Sequence, residues 1–222
     1  MVGSALFSYQ SGIARPNSPI LSIPELQDIK GIDSIQTIMR IRDFVFSVVP
    51  WTLRPSVDLK LDVENILGLY KMFVSKESGG WCGLNAEYYQ LLLYWFQVKT
   101  RPYNFGVKSH DITHVGVIVE HDGEEFFMDP YFAVHYAHRD GFLLTYSHLM
   151  ALIAERRLDR IVPVFSDVCK PVQQIDGTFI LQKPQEIRKS VLDSWPQYEK
   201  TMKDIFGQTD PLLLMLIGIP HV

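Results

Sequence analysis

The stretch from Gly79 to Ala86, GGWCGLNA, decides the fold because it sets Cys82 between a glycine pair and the first turn of a predicted helix. Apolar residues recur at helical spacing along that helix, and they are Leu84, Tyr88, Leu91, Leu92 and Trp95. A helix N-terminus carries unpaired N–H groups and the positive end of the helix dipole, which favour a thiolate over a thiol. Cys82 is therefore a candidate nucleophile, and a buried structural cysteine is the alternative.

Residues 113–130, THVGVIVEHDGEEFFMDP, predict a β-hairpin. The Asp-Gly pair at 122–123 favours a type I′ turn, in which both central residues have positive φ. With these two residues as the loop, His121 pairs with Glu124 and one face of the hairpin is apolar. That face is expected to point to the core, and it comprises Val115, Val117, Val119, Phe126 and Met128.

The same register places a histidine and a carboxylate together on the opposite face. Gly116 pairs with Asp129, and His114 becomes a diagonal neighbour of Asp129 at about 7–8 Å, a gap that long side chains bridge. Because Gly116 has no side chain, we expect the imidazole of His114 to lean over it towards the carboxylate. A one-residue bulge in the turn would flip one strand, so the alignment depends on the turn type.

Cys82, His114 and Asp129 together have the composition of a Cys-His-Asp catalytic triad. In such a triad His114 takes the proton of Cys82 and later returns it to the leaving group, while Asp129 fixes the imidazole tautomer and stabilises its cation. The N–H of Cys82 and neighbouring turn amides are candidates for an oxyanion hole.

On these motifs the sequence resembles the transglutaminase-like superfamily, the branch of papain-like thiol enzymes with the chain order Cys, His, Asp. The resemblance covers roughly residues 33–132. It rests on the cysteine segment 80–86, the histidine segment 113–115 and the aspartate-proline segment 128–130, and residues 35–49 resemble the leading helix of the family.

The resemblance implies an α+β fold with a papain-like core, in which the cysteine begins a helix packed on an antiparallel β-sheet. It also implies a thiol-dependent acyl-transfer enzyme of the peptidase or amidase class that hydrolyses, transfers or condenses an amide, ester or thioester. The expected partners are an acyl donor, namely a peptide, a small-molecule amide or a carrier-bound thioester, and an amine acceptor. No cofactor is expected.

The chain departs from the family pattern beside the histidine. Many members have a small residue and then a tryptophan after the histidine, whereas this chain has Val115 and Gly116. The pocket wall that the tryptophan would supply is therefore missing or comes from elsewhere, and Trp81 is a candidate replacement.

The side-chain half of the oxyanion hole is not evident from the sequence. Lys76 stands at the papain-type spacing where a glutamine would be expected. The remaining candidates for oxyanion stabilisation or substrate binding are Tyr70, Trp81, Gly83 and Tyr131, and for Tyr131 ordinary core packing is the competing interpretation.

Composition narrows the class of protein. The 222 residues carry a net charge of −4, and the basic residues are scattered, which argues against nucleic-acid binding. Residues 1–24 lack a basic start followed by an apolar run, so no signal peptide is predicted. The second thiol, Cys169, does not make a disulfide framework, and we expect a cytoplasmic protein with a free Cys82.

The chain is divided into an N-terminal arm at 1–32, a catalytic core at 33–165 and a C-terminal extension at 166–222. Residues 211–220 are strongly apolar, but they are about half the ~20 residues that a membrane span needs, so we expect a buried segment, with a membrane contact or a protein–protein interface as the alternatives. Helices are predicted at 35–49, 63–74, 84–97, 146–158 and 184–206. Strands are predicted at 100–107, 113–120, 124–128, 161–165 and 173–182, with a second Asp-Gly hairpin signal at 176–177.

Two alternatives to a thiol enzyme stay open. One is a transglutaminase-like module that keeps the fold for binding a partner without catalysis. The other is a metal-dependent hydrolase centred on His135 and His138, with Asp140 or His148 as a further ligand.

Overall fold

The computed structural model describes residues 18–50, 61–107, 112–167, 171–173 and 179–181. Its α-helices are α1 (Ile35–Val48), α2 (Ile66–Val74), α3 (Cys82–Trp95) and α4 (Tyr146–Ala154). Its strands are β1 (Thr100–Val107), β2 (Ile112–His121), β3 (Glu124–Met128), β4 (Val134–His138), β5 (Ile161–Phe165), β6 (Pro171–Gln173) and β7 (Phe179–Leu181). The architecture is α+β with antiparallel sheets and is compatible with a papain-like fold.

Most element boundaries lie close to the predicted ones. The predicted helix at 63–74 begins as a 3-10 turn, Val63–Asn65, before α2, and α4 stops at Ala154, short of the predicted residue 158. The predicted strand at 173–182 is two short strands, since β6 pairs antiparallel with β7. The Asp-Gly turn at 176–177, the predicted helix at 184–206 and the apolar run at 211–220 lie outside the described residues.

The main sheet has the order β1-β2-β3, and all its pairings are antiparallel. The β2–β3 ladder pairs His121 with Glu124 and Val117 with Met128, so the predicted hairpin register is confirmed. Asp122 has φ 52° and Gly123 has φ 80°, the left-handed values that the Asp-Gly signal predicted for the two turn residues.

Both faces of this sheet are buried. The predicted apolar face packs against the helices, with Val117, Val119 and Met128 in the same core as α1, α2 and α3. The other face carries Ile118 and Phe127 into a second core that β4, β5 and α4 complete. The antiparallel pair β4–β5 therefore covers the face of the sheet opposite the helices α1, α2 and α3.

Helix α3 is buried more completely than its predicted apolar stripe implies. Tyr88 and Leu92 of that stripe are fully buried, but so are Tyr89 and Leu93 on an adjoining face. The helix contacts both β2 and α1, and the Tyr89 hydroxyl donates to the carbonyl of Ile38 in α1 at 3.0 Å. The element that begins with Cys82 is thus held on two sides.

The described part of the N-terminal segment, residues 18–32, supplies a row of buried side chains to the helical core. The row repeats every third residue: Ile20, Ile23, Leu26, Ile29 and Ile32. Successive i to i+3 backbone hydrogen bonds link the first four of these residues, which is the period of a 3-10 turn. Arg40 of α1 pairs with Asp28 at 2.8 Å and ties the segment to the helix. Within the described ranges, no helix has the length and hydropathy that crossing a membrane requires.

Candidate active site

The glycine pair before Cys82 is required by close packing. The N–H of Gly80 donates to the carbonyl of Pro50 at 2.9 Å. A Cβ on Gly79 would collide with that same carbonyl oxygen, and a Cβ on Gly80 would lie 2.6 Å from Cδ2 of Leu84. The chain can therefore enter α3 beside Pro50 only without side chains at these two positions.

Cys82 is the first residue of α3 and is partly buried. The preceding residue, Trp81, has an extended backbone, and its carbonyl accepts from both the N–H and the side-chain amide of Asn85. Because Asn85 is fully buried, these two bonds fix the start of the helix and with it the position of the sulfur.

His114 lies on β2 and reaches Asp129, the residue that follows β3. Nε2 of His114 is 2.6 Å from Oδ2 of Asp129. The β2–β3 ladder ends at Met128, and Asp129 bridges to Val134 instead of continuing opposite Gly116. The imidazole therefore contacts a carboxylate that lies just beyond the end of β3.

The expected role of Gly116 needs correction. The space above it does not receive the imidazole, because a Cβ there would lie 2.5 Å and 2.6 Å from ring carbons of Phe127. Phe127 pairs with Ile118, two residues along from Gly116, and its ring leans diagonally across the strand. The ring therefore fills the space beside Gly116.

Asp129 is fully buried, and both of its carboxylate oxygens have partners. Oδ2 faces His114, while Oδ1 accepts from the N–H of Tyr131 at 2.9 Å and from the N–H of Phe132 at 3.0 Å. A buried carboxylate is costly unless such hydrogen bonds replace its hydration. The turn after β3 therefore holds this carboxylate in one orientation.

Cys82 and His114 each alter the pKa of the other. Burial raises the pKa of the Cys82 thiol, but the hydrogen bond and charge of His114, aided by the N–H of Val115, bring it below the usual value. Burial lowers the pKa of His114, but the charge and hydrogen bond of Asp129, with a further contribution from Cys82, raise it to about 10. Both directions shift the pair towards a thiolate and an imidazolium, compared with the same two groups in water.

Aromatic rings surround the imidazole of His114. Phe105, its partner across the β1–β2 ladder, has its ring centroid 5.1 Å away, Tyr131 lies at 5.6 Å and Phe132 at 5.0 Å. These rings exclude water from the hydrogen bond to Asp129 and restrict rotation of the imidazole. Tyr131 is buried against His114, so it contributes both core packing and one wall beside the histidine.

Sequence reasoning missed Phe105. The β1–β2 ladder that aligns it with His114 is joined by residues 108–111, and this connection carries no two-residue turn signal from which a register could be derived. The Asp-Gly pair fixed only the β2–β3 register.

The other candidate residues have different surroundings. Trp81 precedes Cys82 in the chain, and 46% of its surface is exposed. A Cβ on Gly83 would meet no atom within 4 Å, so there is open space beside the first turn of α3. The Tyr70 hydroxyl donates to Glu25 at 2.9 Å, and its ring stacks on Phe44. These contacts connect α2 to α1 and to the N-terminal segment.

The proposed metal ligands do not converge. His135 and His138 are three residues apart on β4, which puts them on opposite faces of the strand. Nδ1 of His135 is 2.8 Å from Nη1 of Arg42, and Nδ1 of His138 accepts from the N–H of Asp140 at 3.2 Å. Within the described part of the chain, no three His, Cys, Asp or Glu side chains are grouped as metal ligands. The geometry therefore contradicts a metal site at these histidines.

No protein-family model and no curated protein matches the sequence. Among solved structures, the chain is similar to "a Putative Cysteine Protease from Cytophaga hutchinsonii", with 12% identity and a TM-score of 0.38. The similarity covers 66% of this chain and 45% of that one, so the chain spans less than half the length of this structure.

Proposed function

We propose that the protein is a cysteine-dependent acyl-transfer enzyme in which Cys82, His114 and Asp129 form the catalytic triad. The observation that carries the proposal is the buried pair of His114 and Asp129, whose atoms Nε2 and Oδ2 are 2.6 Å apart, beside a Cys82 at the start of α3 whose pKa His114 lowers. Since Nε2 faces Asp129, Nδ1 is the ring nitrogen that serves the thiol. A non-catalytic binding module would not require a buried, fully hydrogen-bonded carboxylate behind this histidine.

In the first half-reaction the Cys82 thiolate attacks the carbonyl carbon of an amide, ester or thioester. A C–S bond forms, the carbonyl π electrons move to oxygen, and N–H groups at the start of α3 stabilise the developing oxyanion. When the tetrahedral intermediate collapses, the bond to the leaving group breaks and the His114 imidazolium donates its proton to that group. The product is an acyl-enzyme on Cys82 with a neutral His114.

In the second half-reaction water or an amine attacks the thioester carbonyl. His114 accepts the proton of this nucleophile, and the thiolate of Cys82 leaves. Asp129 stays ionised throughout and stabilises the imidazolium whenever it forms. Neither half-reaction calls for a cofactor.

We further propose that three of the candidate residues bind the acyl donor, which we expect to be a peptide, a small-molecule amide or a carrier-bound thioester. Trp81 offers an exposed aromatic face, Gly83 offers open space, and Tyr131 lies against the general base. We further propose membership of the transglutaminase-like superfamily and a reducing, cytoplasmic compartment, which would keep Cys82 a free thiol.

The test is to trap an acyl-enzyme. The protein is incubated with p-nitrophenyl acetate at neutral pH, quenched in acid, digested and analysed by mass spectrometry. We expect one acetyl group on the peptide containing Cys82, a burst of p-nitrophenol of one equivalent per enzyme, and loss of both in Cys82→Ala.

The matched control is Cys169→Ser, which should retain the burst. Acetylation of Cys169 at the same rate as Cys82, or a burst that survives Cys82→Ala, would rule out this nucleophile. The same trapping carried out with a cell extract would identify the natural acyl group by its mass.

A further inference from the structure

Helix α1 contains a buried arginine that the proposed reaction does not use. Arg42 is 1% exposed, and its Nε and Nη2 donate to Oδ1 of Asp43 at 2.8 Å and 2.6 Å. Its Nη1 donates to Nδ1 of His135, 93 residues away in the chain, at 2.8 Å. A buried cation costs free energy, and packing alone would be served as well by an apolar side chain.

The pair Arg42–Asp43 also reaches the chain beyond β5. The hydroxyl of Ser166 donates to Oδ2 of Asp43 at 2.6 Å, and the N–H of Ser166 donates to the carbonyl of Ala133 at 2.9 Å. We call the four side chains of Arg42, Asp43, His135 and Ser166 the α1 clamp. It joins three segments that are distant in sequence.

The α1 clamp holds the base of the loop that carries the catalytic carboxylate. This loop, residues 129–134, is closed by two backbone bonds: the N–H of Asp129 donates to Val134 at 2.9 Å, and the N–H of Val134 donates to Asp129 at 3.2 Å. Ala133 within it has φ 52°, a left-handed conformation that a residue with a Cβ adopts only when its surroundings hold it there. Ser166 binds Ala133, and Arg42 binds His135, so the clamp grips both neighbours of Val134.

We propose that Arg42 is a positioning residue for Asp129, acting through the α1 clamp and the base of the 129–134 loop, so that the carboxylate meets His114. The inference rests on the proposed function, since it assigns a supporting role in that triad. Arg42 itself touches neither the thiol nor the imidazole of His114. A hydrogen bond of 2.6 Å to a buried carboxylate tolerates little displacement, which is why the loop needs a fixed base.

The protonation state of His135 is compatible with this role. Burial and the neighbouring Arg42 lower its pKa to about 4, so its Nδ1 lone pair is free to accept from the guanidinium at neutral pH. A pH profile recorded above about pH 5 therefore does not report the titration of His135.

The experiment measures the rate of Cys82 alkylation by iodoacetamide from pH 5 to pH 10 in a Cys169→Ser background. We expect Arg42→Met to raise the apparent pKa of alkylation by about one pH unit, equivalent to a roughly tenfold lower rate on the rising part of the profile. Ser166→Ala, which keeps its backbone bond to Ala133, should slow alkylation there about threefold, as expected for one lost hydrogen bond. Circular dichroism and the thermal midpoint show that each variant is folded.

The matched control is Arg40→Met. Arg40 lies two residues before Arg42 on α1, and the substitution removes its exposed ion pair with Asp28. Its profile should coincide with that of the parent protein. If Arg42→Met does not fold, Ser166→Ala decides the question.

A folded Ser166→Ala or Arg42→Met protein with the parental profile would overturn the positioning role and leave the proposed function intact. A parent protein whose Cys82 reacts no faster than the same thiol in the unfolded chain would overturn both. A profile shifted equally by Arg40→Met would show a general effect of charge on α1 and would also overturn the proposal.

Discussion

Replacing Gly116 by alanine should destabilise the protein, because the space above this residue is already filled. The new Cβ would lie 2.5–2.6 Å from two ring carbons of Phe127, about 1 Å closer than a favourable carbon–carbon contact. Phe127 is nearly fully buried, and the rings of Tyr103, Phe105 and Tyr136 surround it at centroid distances of 6.1, 5.6 and 5.9 Å. The ring therefore cannot move without displacing its neighbours.

Overpacking of this kind costs about 1–3 kcal/mol. If the substitution lowers the free energy of unfolding by about 2 kcal/mol, the thermal midpoint of a chain of this size should fall by about 4–8 °C. Because Phe105 also packs on the imidazole of His114, the same substitution should slow alkylation of Cys82.

Gly83→Ala is the matched control, since a Cβ at Gly83 meets nothing within 4 Å. Alanine is the better helix former by about 0.5–1 kcal/mol, so this variant should be as stable as the parent or slightly more stable. Differential scanning calorimetry of the two variants and the parent measures all three midpoints. A Gly116→Ala protein with the parental midpoint would refute the conclusion that Phe127 occupies this space.

Other predictions concern the site itself. Asp129→Asn should slow iodoacetamide labelling of Cys82 at pH 7 by about tenfold or more, because a rise of one pH unit in the pKa of the thiol lowers the thiolate fraction tenfold. An unchanged rate would show that the Asp129 carboxylate does not influence the reactivity of the thiol. Gly83→Leu should slow labelling by a bulky maleimide more than labelling by iodoacetamide, and equal slowing would show that no substrate-sized space lies there. The raised pKa of His114 contributes stability that is complete below its ordinary value of 6.5 and is lost as the pH rises to about 10. The lowered pKa of Cys82 contributes stability that is present above its ordinary value of 9.0 and is lost as the pH falls. Since the two slopes oppose each other just below pH 9.0, urea unfolding should show that Cys82→Ala makes the free energy of unfolding fall more steeply with pH there than in the parent; parallel curves would contradict the ion pair.

The parts of the site that the sequence predicted are those set by local chemistry. An Asp-Gly turn imposes one register on its two strands, and this register carried His114 to the neighbourhood of Asp129. The glycine pair and the apolar helix after it placed Cys82 at a helix start in the same way.

The parts that it did not predict depend on contacts between distant segments. Strand β4 pairs with β5, which lies roughly 25–30 residues further along the chain. Because no local turn signal links the two strands, the five residues of β4 were not predicted as a strand. Without that layer, the sequence carries no sign that the ring of Phe127 lies over Gly116 on the second face of the sheet. The three-residue repeat from Ile20 to Ile32 was a readable signal, because its period is that of a 3-10 turn, and it would have assigned these residues to the core.

The hydrogen bonds that hold Asp129 come from the backbone of Tyr131 and Phe132, not from their side chains. Substitution at either position by any residue other than proline changes the shape and polarity of the surface beside His114 but leaves both N–H donors in place. In the proposed enzyme, the shape of the surface beside His114 and the hydrogen bonds that hold Asp129 are therefore separate properties of one turn, so the side chains at these two positions can be varied without removing the support of the carboxylate.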